Sequence, residues 1–462
     1  MTRESAARDN RPGMLRSILG QCRIGPGALG AGLLGLVIAF VGVVHAEDGG
    51  MRDADRRRLQ VTLDRVVQAL REDYHDPSFG GRDLDALAST ARARIASATA
   101  VDQAISAIAQ LTLEFDDSHT FFLPPFRTIE VDYGLEIGIV GANGMVLEVD
   151  PGSDAEKQGV HKGDVVERVN GFEISRDTLW KVLYLLGELR PQPGLHLELA
   201  TPDGVRRELD IAAKVHRQGR VLVLEGEGAG HGWARLQDAY SEYAQTHRTQ
   251  LVKAGDDVLI VRMRTFGLAG DEPKRILEAA RGRETLILDL RGNPGGPVAA
   301  LRALTGALFA DDVEIATFRE RDETRTETAR GRGKAAFDGR LLVLVDAQSA
   351  SASELLARTV QLRHRGQVLG QRSAGSVMVG RSIGVVASQG DYVVASAVNV
   401  TVADVVMPDG RRLEKAGVIP DVIVVPTPGD VAAGRDPVLA RALSLAGHPV
   451  DAAEAGALLA RD

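Results

Sequence analysis

Leu286-Ile287-Leu288-Asp289-Leu290-Arg291-Gly292-Asn293-Pro294-Gly295-Gly296 decides the fold. Its apolar run reads as a strand buried on both faces, and the glycines that follow permit a tight turn. A helix-like stretch, Val298 to Phe309, comes next. Upstream stand an apolar strand, Val258 to Met263, and a helical stretch, Asp271 to Ala280. Downstream, the strand Leu341 to Val345 feeds a helix over Ser351 to Leu362. Strands and helices alternating in this way predict parallel strands joined by right-handed crossovers. The turn is neither a dinucleotide fingerprint, because its glycine spacing differs, nor a phosphate loop, because Lys-Ser/Thr is missing. Asp289 and Arg291 are expected to brace it rather than react.

The junction before the second helix is Ser349-Ala350-Ser351-Ala352-Ser353-Glu354. A serine there lies at the positive end of a helix dipole beside orphan amides, a setting that favours a nucleophile and an oxyanion. Ser351 with Glu354 also fits a capping box, a purely structural use of the same residues. Residues 313–340, rich in Arg and Glu, read as an exposed excursion. The strands Tyr392 to Ala397 and Val400 to Met407 follow, and beyond about 427 the chain is Ala-rich and helical.

Working towards the N-terminus, residues 216–256 read as a polar connector in which Trp233, Tyr240 and Tyr243 anchor a helix. Residues 130–215 carry short β-rich runs divided by Pro151-Gly152, Gly163-Asp164 and Asn170-Gly171, with one helix from Thr178 to Gly187. Residues 52–125 are helical, with Leu59, Leu63, Val66, Val67 and Leu70 at helical spacing. They end in Asp116-Asp117-Ser118-His119-Thr120 and Pro124-Pro125. Residues 1–46 join an arginine-rich leader to an apolar stretch and a small-x-small end at Val44-His45-Ala46, which is an export signal. The rival reading is an uncleaved membrane anchor through 25–45. Either reading places the remaining chain in the periplasm or cell envelope.

The formal net charge of −8 and 4% aromatic content argue against nucleic acid as a partner. A single cysteine, Cys22, excludes an intramolecular disulfide framework, a structural Cys-zinc site and cysteine-pair redox chemistry.

RGNPGG at 291–296, SASASE at 349–354, Gly370-Gln371-Arg372-Ser373-Ala374-Gly375 and Glu414-Lys415-Ala416-Gly417-Val418-Ile419-Pro420-Asp421 occur in the order found in one family. Together they resemble the C-terminal processing (tail-specific) serine peptidases and the related core of tricorn protease. Residues 150–171, with Tyr133-Gly134-Leu135-Glu136 before them, resemble a PDZ domain. The resemblance implies an α/β, crotonase/ClpP-like catalytic core over 257–427, an inserted PDZ domain and an N-terminal helical domain. It implies a polypeptide substrate and no cofactor or metal.

It also makes Ser351 the nucleophile. The tail-specific branch has a lysine base at the position of Ser376 and a glutamine at that of Gly380, and no lysine lies between Lys334 and Lys415 here. The tricorn-like branch resembles this chain at Ser118-His119, which implies His119 as base and Glu414 as its acidic partner. A histidine of pKa near 6.5, oriented by a carboxylate, is able to activate a serine. The backbone amides of Gly295 or Gly296 and of Ala352 are the expected oxyanion donors, with Gly295 preferred. Tyr133, Gly134 and Leu135 are expected to hold a peptide terminus. A catalytically inactive pseudo-peptidase that grips polypeptide C-termini is the alternative. Acyl-CoA chemistry rests on fold analogy alone.

Overall fold

A computed structural model describes residues 51–125, 129–217, 249–267, 272–389 and 392–460. The expected export signal, Cys22, Trp233, Tyr240 and Tyr243 lie outside them. Three helices open the described chain: α1 (Asp53–Asp73), α2 (Leu84–Ser97) and α3 (Val101–Leu113). Their apolar stripes converge on Leu63, Val66, Leu70, Ile95 and Ile108, all fully buried. Asp83 starts α2 by accepting the Ala86 N–H at 2.9 Å. After α3 the chain turns through 114–120 into the short strand β1 (Phe121–Leu123).

A second module begins at β2 (Ile129–Asp132). It continues through β3 (Leu135–Val140), β4 (Asn143–Val149), α4 (Asp154–Lys157), β5 (Val165–Val169) and β6 (Phe172–Glu173). Next come α5 (Leu179–Leu183), β7 (Gly194–Ala200), β8 (Arg206–Ala212) and β9 (Lys214–Arg217). Five of its strands lie in the order β3-β4-β5-β7-β8, with β3 at one edge. The helix expected over 178–187 is α-helical only to Leu183 and becomes a π-helix over Tyr184–Leu189. Tyr184 and Leu189 leave the module there and pack in the helical core, where the Tyr184 hydroxyl donates to the Phe122 carbonyl. A wider turn lets one helix serve two cores.

The third unit contains β10 (Gln250–Ala254), β11 (Val258–Arg262), α6 (Glu272–Ala280), β12 (Thr285–Asp289) and α7 (Val298–Leu308). It goes on through β13 (Val313–Glu320), β14 (Thr324–Ala329), β15 (Arg340–Val345), α8 (Ala352–Leu362) and β16 (Gln367–Gly370). The long hairpin of β17 (Met378–Gln389) and β18 (Tyr392–Val406) then leads to β19 (Val422–Ile423). The tail forms α9 (Pro428–Ala432), α10 (Pro437–Leu445) and α11 (Ala452–Leu459).

The central sheet runs β10-β11-β12-β15-β16-β19. Pairings from β11 to β19 are parallel, and β10 is antiparallel to β11. Residues 250–254 thus belong to the core, not to a connector. Alternation along each strand sends Leu259, Val261, Leu288 and Val343 to the face covered by α6, α7 and α8. Val258, Ile260, Ile287 and Leu342 go to the other face, against α10 and α11.

Residues 313–340 are not an exposed excursion. Over 313–329 they form the β13–β14 hairpin, and β13 also pairs with β18 in a second sheet. Val313, Ile315, Ala316 and Phe318 are buried, while Arg319, Thr324 and Arg325 are exposed. Most of the charges that suggest a surface loop lie on the exposed positions of a half-buried ribbon, while Glu327 is buried and paired with Arg302 and Arg325.

Candidate active site

Two loops form the first half of the site. β15 ends at Val345, and Asp346 turns the chain by accepting the amides of Gly292, Gln348 and Ser349 at 2.9–3.0 Å. The Ser349 hydroxyl donates to the Leu290 carbonyl at 2.8 Å, and Ala350 N–H to the Asn293 carbonyl at 2.9 Å. The glycine-rich turn after β12 is thereby stitched to the turn before α8.

Ser351 sits between them with φ 54° and ψ −116°, a conformation that L-residues rarely adopt. Its amide is held by the Ser376 carbonyl at 2.9 Å and by Glu354 Oε2 at 3.1 Å. Gly295, at φ +96°, lies directly against it. A Cβ there would stand 2.7 Å from Ser351 Cβ and 2.9 Å from Ala352 N, so this position requires glycine.

Gly295 does not offer its amide to an oxyanion, because Asn293 Oδ1 accepts that N–H at 2.9 Å. The Asn293 side chain bends back on its own turn, which motif reading does not register. Ala352, the first residue of α8, has no intrahelical acceptor for its amide. Gly296, unlike Gly295, is solvent-exposed.

The second half of the site is built around Glu414, in the loop between β18 and β19. Its Oε1 accepts Ser118 N–H at 2.9 Å. Its Oε2 accepts the Ser118 hydroxyl and Val377 N–H, each at 2.8 Å. The Ser118 hydroxyl also lies 2.7 Å from His119 Nδ1. Glu414 therefore reaches the imidazole through Ser118. With Glu414 ionised, the Ser118 hydroxyl donates to it, so Nδ1 carries its own proton and donates to Ser118 Oγ, which leaves Nε2 as the basic nitrogen. Ser118 was visible beside His119 in the sequence, but nothing in the spacing marked it as a bridge.

Burial pulls the His119 imidazole down to about 4, and the nearby Asp117 charge opposes that shift. Burial pushes the Glu414 carboxyl up to about 8, against the hydrogen bonds from Val377 and Ser118. Asp117 fixes the histidine loop by accepting from Tyr74 Oη, His119 N, Thr120 N and both threonine hydroxyls at 120 and 401. Gly380 gives the imidazole its room: a Cβ would lie 3.1 Å from His119 Cδ2 and 2.4 Å from Asn399 Nδ2.

One peptide group joins the two halves. The Ser376 carbonyl accepts Ser351 N–H, and the amide of the next residue, Val377, donates to Glu414. Glu354 holds this segment from below through Ser373 Oγ (2.6 Å), Gly375 N (2.8 Å) and Ser376 N (2.9 Å), and its burial raises it to about 7.

Comparison with known proteins meets this geometry at its centre, because residues 257–424 match the model of peptidase family S41. The chain is a serine-type hydrolase whose residues 257–424 resemble the S41 peptidase core. It is 29% identical over 350 residues to the chloroplastic C-terminal processing peptidase of Tetradesmus obliquus, covering 70% of this chain and 68% of that one. It is 25% identical over 344 residues to the carboxyl-terminal-processing protease of Picosynechococcus sp., covering 71% and 74%. Mature CPAF shares the fold of this chain with a TM-score of 0.60 at 14% identity, over 82% of this chain and 94% of that one.

The residues expected to hold a peptide terminus lie apart, at the start of β3. The Tyr133 hydroxyl is a strut, donating to the Leu186 carbonyl at 3.1 Å and accepting Gln192 N–H at 3.0 Å. The Gly134 amide donates to Asp132 Oδ1 at 2.9 Å, so it is engaged as well. Leu135 opens the edge strand. Among the described residues no helix is long and apolar enough to cross a membrane.

Proposed function

We propose that this S41 peptidase is an exported endopeptidase that cleaves polypeptides near their C-termini, using Ser351, His119 and Glu414 as a triad bridged by Ser118. The observation that carries this reading is the unbroken hydrogen-bond path Glu414–Ser118–His119, tied to Ser351 through the peptide at Ser376–Val377. Ser351 Oγ attacks the scissile carbonyl while His119 Nε2 takes its proton. The imidazolium that forms keeps its Nδ1 proton on Ser118, whose own proton rests on Glu414, so the charge is stabilised across one hydroxyl. The same proton passes to the leaving amine, and water then hydrolyses the acyl-enzyme.

Ala352 and Gly296 supply the amides for the oxyanion, and loss of one such donor typically costs roughly 10²–10³ in rate. The low resting pKa of His119 keeps it unprotonated and ready at neutral pH. In this reading the 129–217 module acts as a PDZ-like platform, with an extended peptide adding to the β3 edge. The relatives named for C-terminal processing support the substrate class. The arginine-rich leader and apolar stretch support export.

Ser376 and Gly380, standing where the lysine branch has its base and its glutamine, favour one rival: a pseudo-peptidase that binds tails without turnover. One experiment separates the two. Protein lacking residues 1–46, with its Ser351→Ala and His119→Ala variants, is treated with a serine-directed phosphonate and then assayed on an unstructured polypeptide. Labelling at Ser351 and proteolysis in the parent alone are expected. Equal activity in all three rejects the triad, and tight tail binding without labelling or cleavage selects the pseudo-enzyme.

A further inference from the structure

A cleft of about 490 Å³ opens between the turn at Gly141-Ala142 and the outer edge of the central sheet. Ile419, Pro420, Ile423 and Val425 form its apolar side. Ile419 is 65% exposed, Ile423 67% and Val425 40%. Eight large apolar residues are exposed among the described residues, and three of them gather here. Scattered exposed apolar side chains need no explanation, whereas a cluster in a concavity marks an interaction site.

The opposite side is cationic. Arg176 and Arg372 both line the cleft. Arg176 donates to the carbonyls of Ser373 at 3.0 Å and Arg372 at 3.2 Å, and among the described residues no carboxylate pairs with either guanidinium. Asp177 lies on the same rim, which leaves an excess of positive charge. Burial and then the Arg372 charge lower the pKa of Arg176, against the opposing charges of Asp177, Asp346 and Glu354, and an anion placed between the two arginines would ease their mutual repulsion. β19, which contributes Ile423, pairs with β16 alone and ends the sheet. Among the described residues no strand pairs with the outer edge of this two-residue strand.

We propose that this cleft is a second polypeptide-binding site, distinct from the Ser351 site, that takes an extended segment ending in apolar residues and a free carboxylate. The apolar side accepts the side chains, the arginine rim accepts the carboxylate, and the β19 edge pairs with the backbone. A polypeptide uses all three features, whereas a lipid headgroup leaves the strand edge unused. The site is wired to the reactive centre by the chain itself. Arg372 begins the run that passes through Ser373 and Ser376, clamped by Glu354, to the peptide that touches Ser351 and Glu414. The inference does not depend on the triad, so its test avoids turnover.

Full-length protein carrying Ser351→Ala is titrated, by fluorescence anisotropy, into a fluorescein-labelled decapeptide ending in Leu-Val-Ala with a free carboxylate. Ile423→Asp and Arg372→Glu, both at exposed positions, are expected to weaken binding at least tenfold with an unchanged thermal midpoint. The amidated peptide is expected to bind at least tenfold more weakly than the acid. Leu135→Asp, on the β3 edge, is measured alongside. Loss confined to Leu135→Asp assigns the peptide to β3 and overturns the proposal, as does unchanged binding in both cleft variants. Equal affinity for acid and amide also overturns it, because the arginine rim then recognises no carboxylate. Binding of phosphatidylglycerol vesicles that Ile423→Asp abolishes, with no affinity for the peptide, assigns the cleft to a lipid headgroup and overturns it too.

Discussion

At the scale of single residues, the chemistry turns on one hydroxyl. Ser118 passes the influence of Glu414 to His119, and without it the carboxylate faces a gap. Ser118→Ala is expected to lower kcat about 10²-fold, within the range typical of general acid–base groups, with KM nearly unchanged. Ser118→Thr, which keeps the hydroxyl, should recover most of the rate, and steady-state kinetics on one peptide substrate decide it. The pH profile offers a second check. His119 works as a base only when unprotonated, so its acid limb should fall near 4 and not near the ordinary 6.5, while ionisation of Glu414 should lift the rate towards pH 8. A limb near 6.5 would contradict the buried imidazole. Ser351, His119 and Glu414 stand out as candidates from motifs because chemistry limits the residue types that serve each proposed role. The hydroxyl bridge does not, since a serine beside a histidine is common and only folding shows what lies between its oxygen and a residue 296 positions away.

At the scale of elements, the turn Gly292–Gly296 illustrates how far local pattern carries. That the turn needs glycine was legible, because a strand running straight into a helix demands unusual backbone angles. Which amide remains free was not, because the answer depends on the rotamer of Asn293. Gly295→Ala places a methyl within 2.7 Å of Ser351 Cβ at a φ that disfavours alanine. It is expected to destabilise the fold by about 1–3 kcal/mol and to cut activity by more than the fraction unfolded explains. Urea unfolding beside an activity assay separates the two effects. The β13–β14 hairpin shows the opposite failure. Arg319, Glu320, Arg325 and Glu327 suggest solvent, yet alternate residues of β13 are buried, and a charge-rich stretch conceals a two-residue period when strand length is short. Tyr133 resembles part of a binding loop for a similar reason: its neighbours fit a motif, while its hydroxyl is engaged by Leu186 and Gln192.

At the scale of the whole molecule, two buried carboxyls set the response to pH. Glu354 and Glu414 titrate at about 7 and about 8 in the folded chain, against an ordinary 4.5. Between those values the folded state binds more protons than the unfolded one, so stability falls as pH rises through 7 and 8. His119, whose folded pKa is depressed, acts the other way only between about 4 and 6.5. The thermal midpoint should therefore drop from pH 6.5 to pH 8.5, and Glu354→Gln should flatten the slope; a midpoint that climbs over this interval is incompatible with the pair. The tail makes an equally global contribution. Leu439 is fully buried against the sheet face that carries Ile260 and Leu342, and Leu439→Ala is expected to cost about 2–5 kcal/mol by calorimetry.

The same tail reaches the glycine turn. Arg291 is clasped by Asp289 on its own turn and by Asp436, 145 residues further along, at 2.7–2.8 Å. A ribosome delivers the second half of that clasp long after the first. A nascent chain halted before residue 436 holds Arg291 by Asp289 alone, so the turn beside Ser351 is completed only once the tail has been made.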